Sequence, residues 1–257
     1  MNRFLQPRAQ PLLIAHRGAS AHAPENTLAA FTLAADQGAD AIELDVTLTR
    51  DGHVVVLHDD TLERTTNGHG RVDQLAYAEI ARCDAGAKFA AKFAGERVPL
   101  LSQVFEAVGQ RVLINVEIKS ASLRAKRGLE AKVIDLIRQY GLIERVIVSS
   151  FNPLALIKIK RAEPRLACGL IYSPAEPIYL RRAWLAPLIP NLDARHPRVE
   201  TVTPAVVRRL HARGQKINVW TVLEPVEAQT LAAAGVDGLI GNDPVMLRAA
   251  LTTRHSK

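Results

Sequence analysis

Two apolar rhythms alternate along this chain. Short runs of strand length occupy Leu12–Ala15, Ala41–Val46, Val54–Leu57, Val112–Ile118, Arg145–Val148, Ala167–Ile171, Leu188–Leu192, Lys216–Trp220 and Val236–Ile240. Between them, apolar positions three and four apart predict amphipathic helices over Thr27–Gln37, Leu129–Tyr140, Pro153–Arg161, Pro204–Arg213, Pro225–Ala234 and Pro244–Leu251. Punctuation agrees: Asn152-Pro153, Thr203-Pro204, Glu224-Pro225 and Asp243-Pro244 place proline at a first helical turn, and Gly38, Gly141, Gly214 and Gly235 follow helix ends. Strand–helix alternation implies a parallel sheet. About eight such units predict an α/β chain folded as a closed (β/α)8 TIM barrel. An open doubly wound sheet is the alternative, but no Gly-x-Gly-x-x-Gly follows the first strand.

One stretch breaks the rhythm. Residues 59–101 are rich in glycine, alanine and charge and contain the turn-like Thr65-Thr66-Asn67-Gly68-His69-Gly70. They read as a small insertion after the second strand region, following a hairpin-like run and lying over one end of the barrel. No linker and no repeat divides the rest, so residues 1–257 read as a single domain.

Composition narrows the class. The 257 residues are 48% hydrophobic and 23% charged, a soluble globular profile able to bury a large core, and aromatics are sparse at 5%. The net charge of +7 (33 basic minus 26 acidic) admits nucleic acid, an anionic membrane or an anionic substrate. The basic clusters are short and lie in helix-like stretches: Arg124–Arg127, Lys158–Arg161 and Arg181-Arg182. They read as solvated helix faces, so no nucleic-acid partner is expected. Cys83 and Cys168 make no disulfide framework and read as free thiols in a reducing compartment. The N-terminal stretch has no signal-peptide core, and no run reaches the roughly 18 apolar residues of a membrane span. No stable membrane insertion is expected, and cytoplasmic is the expected location; the oligomeric state is not legible.

In a barrel, chemistry gathers at the carboxyl ends of the strands. The first strand ends in His16-Arg17-Gly18. Histidine exchanges protons near neutral pH, arginine offers a planar fork suited to phosphate, and glycine lets the backbone turn beside a ligand; an ordinary exposed strand end is the plainer reading. In Pro24-Glu25-Asn26-Thr27, Asn26 reads as a helix cap, which leaves Glu25 unexplained.

Strand alternation places Glu43 and Asp45 on one face and Leu44 and Val46 on the other. If the apolar face meets helices, both carboxylates point into the barrel, where they need a cation; the alternative is a pair of surface acids on an edge strand. Asn115, Glu117 and Lys119 repeat the parity. Three converging carboxylates form an all-oxygen site suited to Mg2+ or Ca2+, with a structural salt-bridge network as the alternative. His58 ends the run Val54–Leu57; alone it would read as structural, but placed like His16 it suggests an acid–base pair, with Asp59 either orienting it or facing solvent. Trp220 shares a face with Asn218 and either walls the pocket or fills the core. His22, His53, His69, His196, His211 and His255 lack such a setting, and His211 is expected to be exposed.

This ordered set resembles the glycerophosphodiester phosphodiesterases, of the bacterial, cytoplasmic type. The resemblance rests on His16-Arg17-Gly18, Pro24-Glu25-Asn26-Thr27, Glu43-Leu44-Asp45-Val46, His58-Asp59, Glu117-Ile118-Lys119 and Val219-Trp220-Thr221. Asp60–Thr66, Gly68, Gly70 and Val98–Leu101 resemble that family's insertion. It runs from about residue 12 to 245, with no departure at a catalytic position. The resemblance implies a (β/α)8 barrel and a divalent metal, Mg2+ or Ca2+, held by Glu43, Asp45 and Glu117. It implies His16 and His58 as general acid and base, with Arg17 and Lys119 near the phosphate. The implied reaction belongs to lipid and glycerol metabolism: a metal-dependent hydrolase splits a glycerophosphodiester, such as glycerophosphocholine or glycerophosphoethanolamine, into glycerol 3-phosphate and an alcohol. The residues leave open whether water attacks directly or the glycerol 2-hydroxyl first forms a cyclic phosphate, and which histidine is the acid. Lysophospholipase D-like action on lysophospholipids is an enzymatic alternative, and a non-catalytic phosphate-ligand binding barrel is another.

Overall fold

The computed structural model describes residues 1–119, 128–173 and 187–252. The basic clusters Arg124–Arg127 and Arg181-Arg182, and His255, lie outside the described residues. Strands β1 (Leu12–His16), β2 (Ala41–Leu48), β3 (Val54–Val56), β4 (Leu113–Ile118) and β5 (Val146–Ser150) alternate with helices α1 (Leu28–Asp36), α2 (Tyr77–Ile80), α3 (Leu101–Val108) and α4 (Leu129–Gln139). Then follow α5 (Pro153–Ala162), β6 (Ala167–Tyr172), β7 (Ala194–Pro197), α6 (Pro204–His211), β8 (Lys216–Val219), α7 (Pro225–Ala234), β9 (Gly238–Gly241) and α8 (Pro244–Thr252).

Among the described residues, eight parallel strands run β1-β2-β4-β5-β6-β7-β8-β9, and β9 pairs back onto β1. This closes the expected (β/α)8 barrel. β3 is a ninth, antiparallel strand paired with the end of β2 through Val46↔Val56 to Leu48↔Val54.

The alternation in the sequence explains which side chains go where. Ile42, Leu44, Val46, Ile114, Val116, Val146 and Val148 face outward and pack with Phe31, Phe105, Val133, Ile137, Leu156 and Ile159 of the surrounding helices. Each fully buried side chain of this kind contributes about 1.5–3 kcal/mol. The opposite parity fills the interior. Its lower end is apolar, with Leu12, Ile14, Leu113, Ile147 and Ile240 under Phe4. Higher up, Glu43, Asp45, Asn115, Ser149, His196 and Asn218 are all buried. Asn152 caps α5, its side chain accepting from the Leu154 amide, and Thr203 does the same for α6.

One expected strand is displaced. The run Leu188–Leu192 holds no strand; Ile189 and Leu192 are buried from a turn, and the sixth barrel strand is Ala194–Pro197. Helix α3 stands where no helix was expected. The cluster Lys158–Arg161 is not wholly a solvated face: Lys160 is buried, with Nζ 2.7 Å from Asp193. The 59–101 stretch packs an apolar cluster of its own, in which Leu62, Val72, Ile80 and Val98 join Val55 and Leu57. Cys83 and Cys168 are unpaired. No helix among the described residues is long and apolar enough to cross a membrane.

Candidate active site

Strand register assembles the site. Parallel pairing sets His16 beside Glu43, Glu43 beside Asn115, and Asp45 beside Glu117. Glu43 and Asp45 are 3% and 1% exposed, so they are interior groups and not surface acids on an edge. One ligand atom from each of Glu43, Asp45 and Glu117 lies within 4.8 Å of the others. Among the described residues these three form a cluster able to hold a metal ion.

Two cations flank the acids. Lys119 Nζ lies 3.0 Å from Glu117 Oε1 and 3.4 Å from Asp45 Oδ1, and Arg17 Nε lies 3.3 Å from Asp45 Oδ2. Burial works to raise Asp45, but Lys119, Arg17 and His58 outweigh it and hold the carboxyl at about 2. Glu43 is less well compensated. Burial, then Asp45 and Glu117, push it well above the usual carboxylate range. It accepts from the Arg17 amide at 3.0 Å through Oε2, while buried Oε1 has no hydrogen-bond partner. Burial also raises Glu117, against the pull of Lys119. An orphaned carboxylate oxygen among three clustered acids and two cations is an unfinished charge balance. A hard divalent cation, whose oxygen ligands stand at about 2.0–2.6 Å, fits the donor set and its span.

The turn after β1 is built for this geometry. Arg17 and Gly18 take left-handed backbone, with φ of 57° and 82°. A Cβ on Gly18 would come within 2.7 Å of the Ala30 backbone, so only glycine lets the turn press against α1. Asn26 is not the cap of α1. Thr27 is, its Oγ1 accepting from the Ala30 amide, and Asn26 instead donates to Asp45 Oδ2 at 2.9 Å and accepts from the Asp45 amide. Glu25 accepts from Arg17 at 2.8 Å, which accounts for it.

The two histidines act on different members of the acidic cluster: His16 lies beside Glu43, and His58 is felt by Asp45 and Glu117. His16 Nδ1 bonds Asn242 Oδ1 at 2.8 Å, and Nε2 is 4.0 Å from Glu43 Oε2. Burial, then Arg17, lower His16 to about 4. His58 Nδ1 lies 2.5 Å from Asp59 Oδ1, so Asp59 faces its histidine. Trp220 is half-buried, donates from Nε1 to the His196 carbonyl at 2.8 Å, and meets Phe151 edge-on at 5.7 Å between ring centroids. His211 is exposed, as expected, and pairs with Asp237.

Three residues escaped the sequence reading. Asn242 follows the apolar run of β9 and so carried the same signal as His16. Arg64 lies in the insertion, away from any strand end. His196 sits in a strand that was misplaced; it is buried, lowered by burial to about 3, and bonded to Asn218 at 3.0 Å. Gly169 leaves it room, since a Cβ there would lie 2.5 Å from its Nε2.

A closed barrel with a buried acidic cluster able to hold a metal ion, a histidine ending its first strand and another following the antiparallel β3 has the layout of a barrel hydrolase. Residues 16–246 match the model of the glycerophosphoryl diester phosphodiesterase family. The chain is 45% identical to the glycerophosphodiester phosphodiesterase of Caldanaerobacter subterraneus subsp. tengcongensis over 237 residues, 92% of this chain and 96% of that one. Among solved structures, a phosphodiesterase of Oleispira antarctica in complex with its product sn-glycerol-3-phosphate superposes with a TM-score of 0.83 at 31% identity, covering 95% of this chain and 97% of that one. A putative glycerophosphoryl diester phosphodiesterase of Silicibacter pomeroyi reaches a TM-score of 0.86 at 27% identity, over 97% and 96% of the two chains. This chain therefore belongs to the glycerophosphoryl diester phosphodiesterase family and is one of its enzymes.

Proposed function

We propose that this enzyme hydrolyses glycerophosphodiesters, such as glycerophosphocholine and glycerophosphoethanolamine, to glycerol 3-phosphate and an alcohol. The observation that carries the reading is the cluster of Glu43, Asp45 and Glu117, with His16 beside Glu43 and His58 felt by Asp45 and Glu117. The product bound by the Oleispira antarctica relative is sn-glycerol-3-phosphate, which supports the same choice here.

Glu43, Asp45 and Glu117 would hold a divalent cation, Mg2+ or Ca2+. Such an ion supplies stabilisation of the charge that builds on the phosphoryl oxygens. Arg17 and Lys119 add fixed positive charge at the same place, bound in position by Asp45, Glu25 and Glu117. Trp220 and Phe151 form an aromatic wall against which a carbon skeleton packs.

The histidines divide the proton work. The Asn242 oxygen accepts from Nδ1–H of His16, so the lone pair of Nε2 faces the acids. His16 is neutral at pH 7 and takes the proton from the nucleophile. Asp59 fixes the His58 ring from Nδ1, and His58 gives a proton to the leaving alkoxide.

The test is a panel of glycerophosphodiesters assayed for glycerol 3-phosphate with EDTA, Mg2+, Ca2+ and Mn2+ in parallel, with lysophosphatidylcholine included. Metal-dependent release from the soluble diesters is expected. Tight binding of glycerophosphocholine without turnover in saturating metal would mean a binding protein, and turnover of the acylated substrate alone would mean a lysophospholipase.

A further inference from the structure

One side chain of the insertion, Arg64, reaches the carboxylates that flank both His58 and Arg17. Arg64 holds two carboxylates at once. Its Nε lies 2.5 Å from Asp59 Oδ2 and its Nη2 3.2 Å from Asp59 Oδ1. Its Nη1 and Nη2 each lie 2.8 Å from Glu25, on Oε2 and Oε1 respectively. Asp59 in turn orients His58, and Glu25 Oε1 also accepts from Arg17. A single guanidinium therefore links the loop after β1, which carries Arg17, to the segment after β3, which carries His58.

The backbone under Arg64 is anchored. Leu62 is 1% exposed and Thr66 fully buried, and the Thr66 hydroxyl and amide both donate to the Leu62 carbonyl. Leu62 belongs to the insertion's own apolar cluster. The side chain thus projects from a fixed loop and is not a loose surface arginine. Stability does not account for the arrangement. Arg64 is 47% exposed, and ion pairs that open to water contribute little to folding. A double fork does impose geometry, because the planar guanidinium fixes both carboxylates in direction as well as distance. Asp59 responds accordingly: Arg64, then His58, hold it at about 2, so it stays charged behind the ring across the working range. Glu25 also lies below the usual carboxylate range, because Arg64 and Arg17 outweigh its burial.

We propose that Arg64 is a positioning residue for the hydrolytic site, acting through Asp59 on His58 and through Glu25 on Arg17. The insertion's role is then to deliver this arginine. The inference rests on the reading of His58 as a proton donor and Arg17 as a phosphate ligand given above.

Displacing reacting groups by about 1 Å costs on the order of 100-fold in rate. Arg64→Ala should therefore lower kcat roughly 10–100-fold and raise KM severalfold, with a thermal midpoint close to wild type. Added guanidinium ion, well below denaturing concentrations, should restore part of kcat in Arg64→Ala and none in wild type. In an Asp59→Ala background the Arg64→Ala change should cost less kcat than it does in wild type, since only the arm through Glu25 to Arg17 is left to break. Wild-type kcat and KM in Arg64→Ala would overturn the proposal, as would a rate loss that tracks a fallen thermal midpoint and ignores guanidinium. His58→Ala separates the two levels. If it is inactive while Arg64→Ala is normal, only the positioning role fails. If His58→Ala is fully active, the proposed mechanism fails first.

Discussion

Asn242 stands behind His16, its side-chain oxygen 2.8 Å from Nδ1, at the point where β9 closes the barrel against β1. The bond selects the tautomer with a bare Nε2 and turns that atom toward Glu43. Replacing Asn242 with alanine frees the ring to rotate and to exchange tautomers. Loss of an orienting group of this kind costs about 10–100-fold. Steady-state kinetics of Asn242→Ala should show that loss in kcat, with metal affinity unchanged. Unaltered kcat would remove Asn242 from the machinery.

The division of labour between the histidines has its own check. A p-nitrophenyl leaving group departs without protonation, so a missing acid matters less for it. His58→Ala should regain most of its lost rate on a glycerophospho-p-nitrophenyl substrate, and His16→Ala should not. The reverse pattern would exchange the two roles.

Charge balance predicts a stability response to metal. Without a cation, Glu43 is pushed up by burial and by Asp45 and Glu117. Binding to the folded state alone stabilises by about 2.7 kcal/mol at one hundred times Kd. The thermal midpoint should rise with Mg2+ or Ca2+ in the wild type and hardly move in Glu43→Gln. An equal rise in both proteins would place the ion elsewhere.

His196 predicts a pH effect whose sign follows from its burial. In the unfolded chain it takes up a proton near 6.5, whereas burial lowers it to about 3 in the fold. Between those values the unfolded state binds a proton that the folded state does not. The stability it supports is complete above about pH 6.5 and is lost as pH falls toward 3. From pH 6 to pH 4 the wild type should lose about 2–3 kcal/mol more than His196→Gln in urea unfolding. Parallel losses would mean that the ring is protonated in the folded state.

How far the sequence could be read depended on what each strand carries. β2 and β4 alternate a polar interior with an apolar exterior, so Glu43, Asp45 and Glu117 were legible from parity alone. β7 was not, because Ala194-Arg195-His196-Pro197 has no apolar run. His196 fills the barrel interior, and Arg195 lies buried outside it, its Nε 3.2 Å from Gln215 Oε1. The apolar residues nearby, Ile189 and Leu192, are buried from a turn and drew the expected strand several residues too early. Asn26 misled for a related reason. It has the chemistry of a cap, but Thr27 takes that place one residue on, and the Asn26 side chain turns to Asp45. Arg64 shows the limit most clearly. It meets two carboxylates, one of them 39 positions away, a pairing that no local spacing reveals.

In the proposed mechanism two histidines move protons beside a three-carboxylate metal site. Single-turnover release of glycerol 3-phosphate from glycerophosphocholine, in saturating metal, tests it directly with wild type, His16→Ala, His58→Ala and the double variant. Each single change should slow the chemical step by about 10²–10⁴-fold, and the double variant should be at least as slow as the slower single variant. Wild-type rates in the double variant would contradict the mechanism outright.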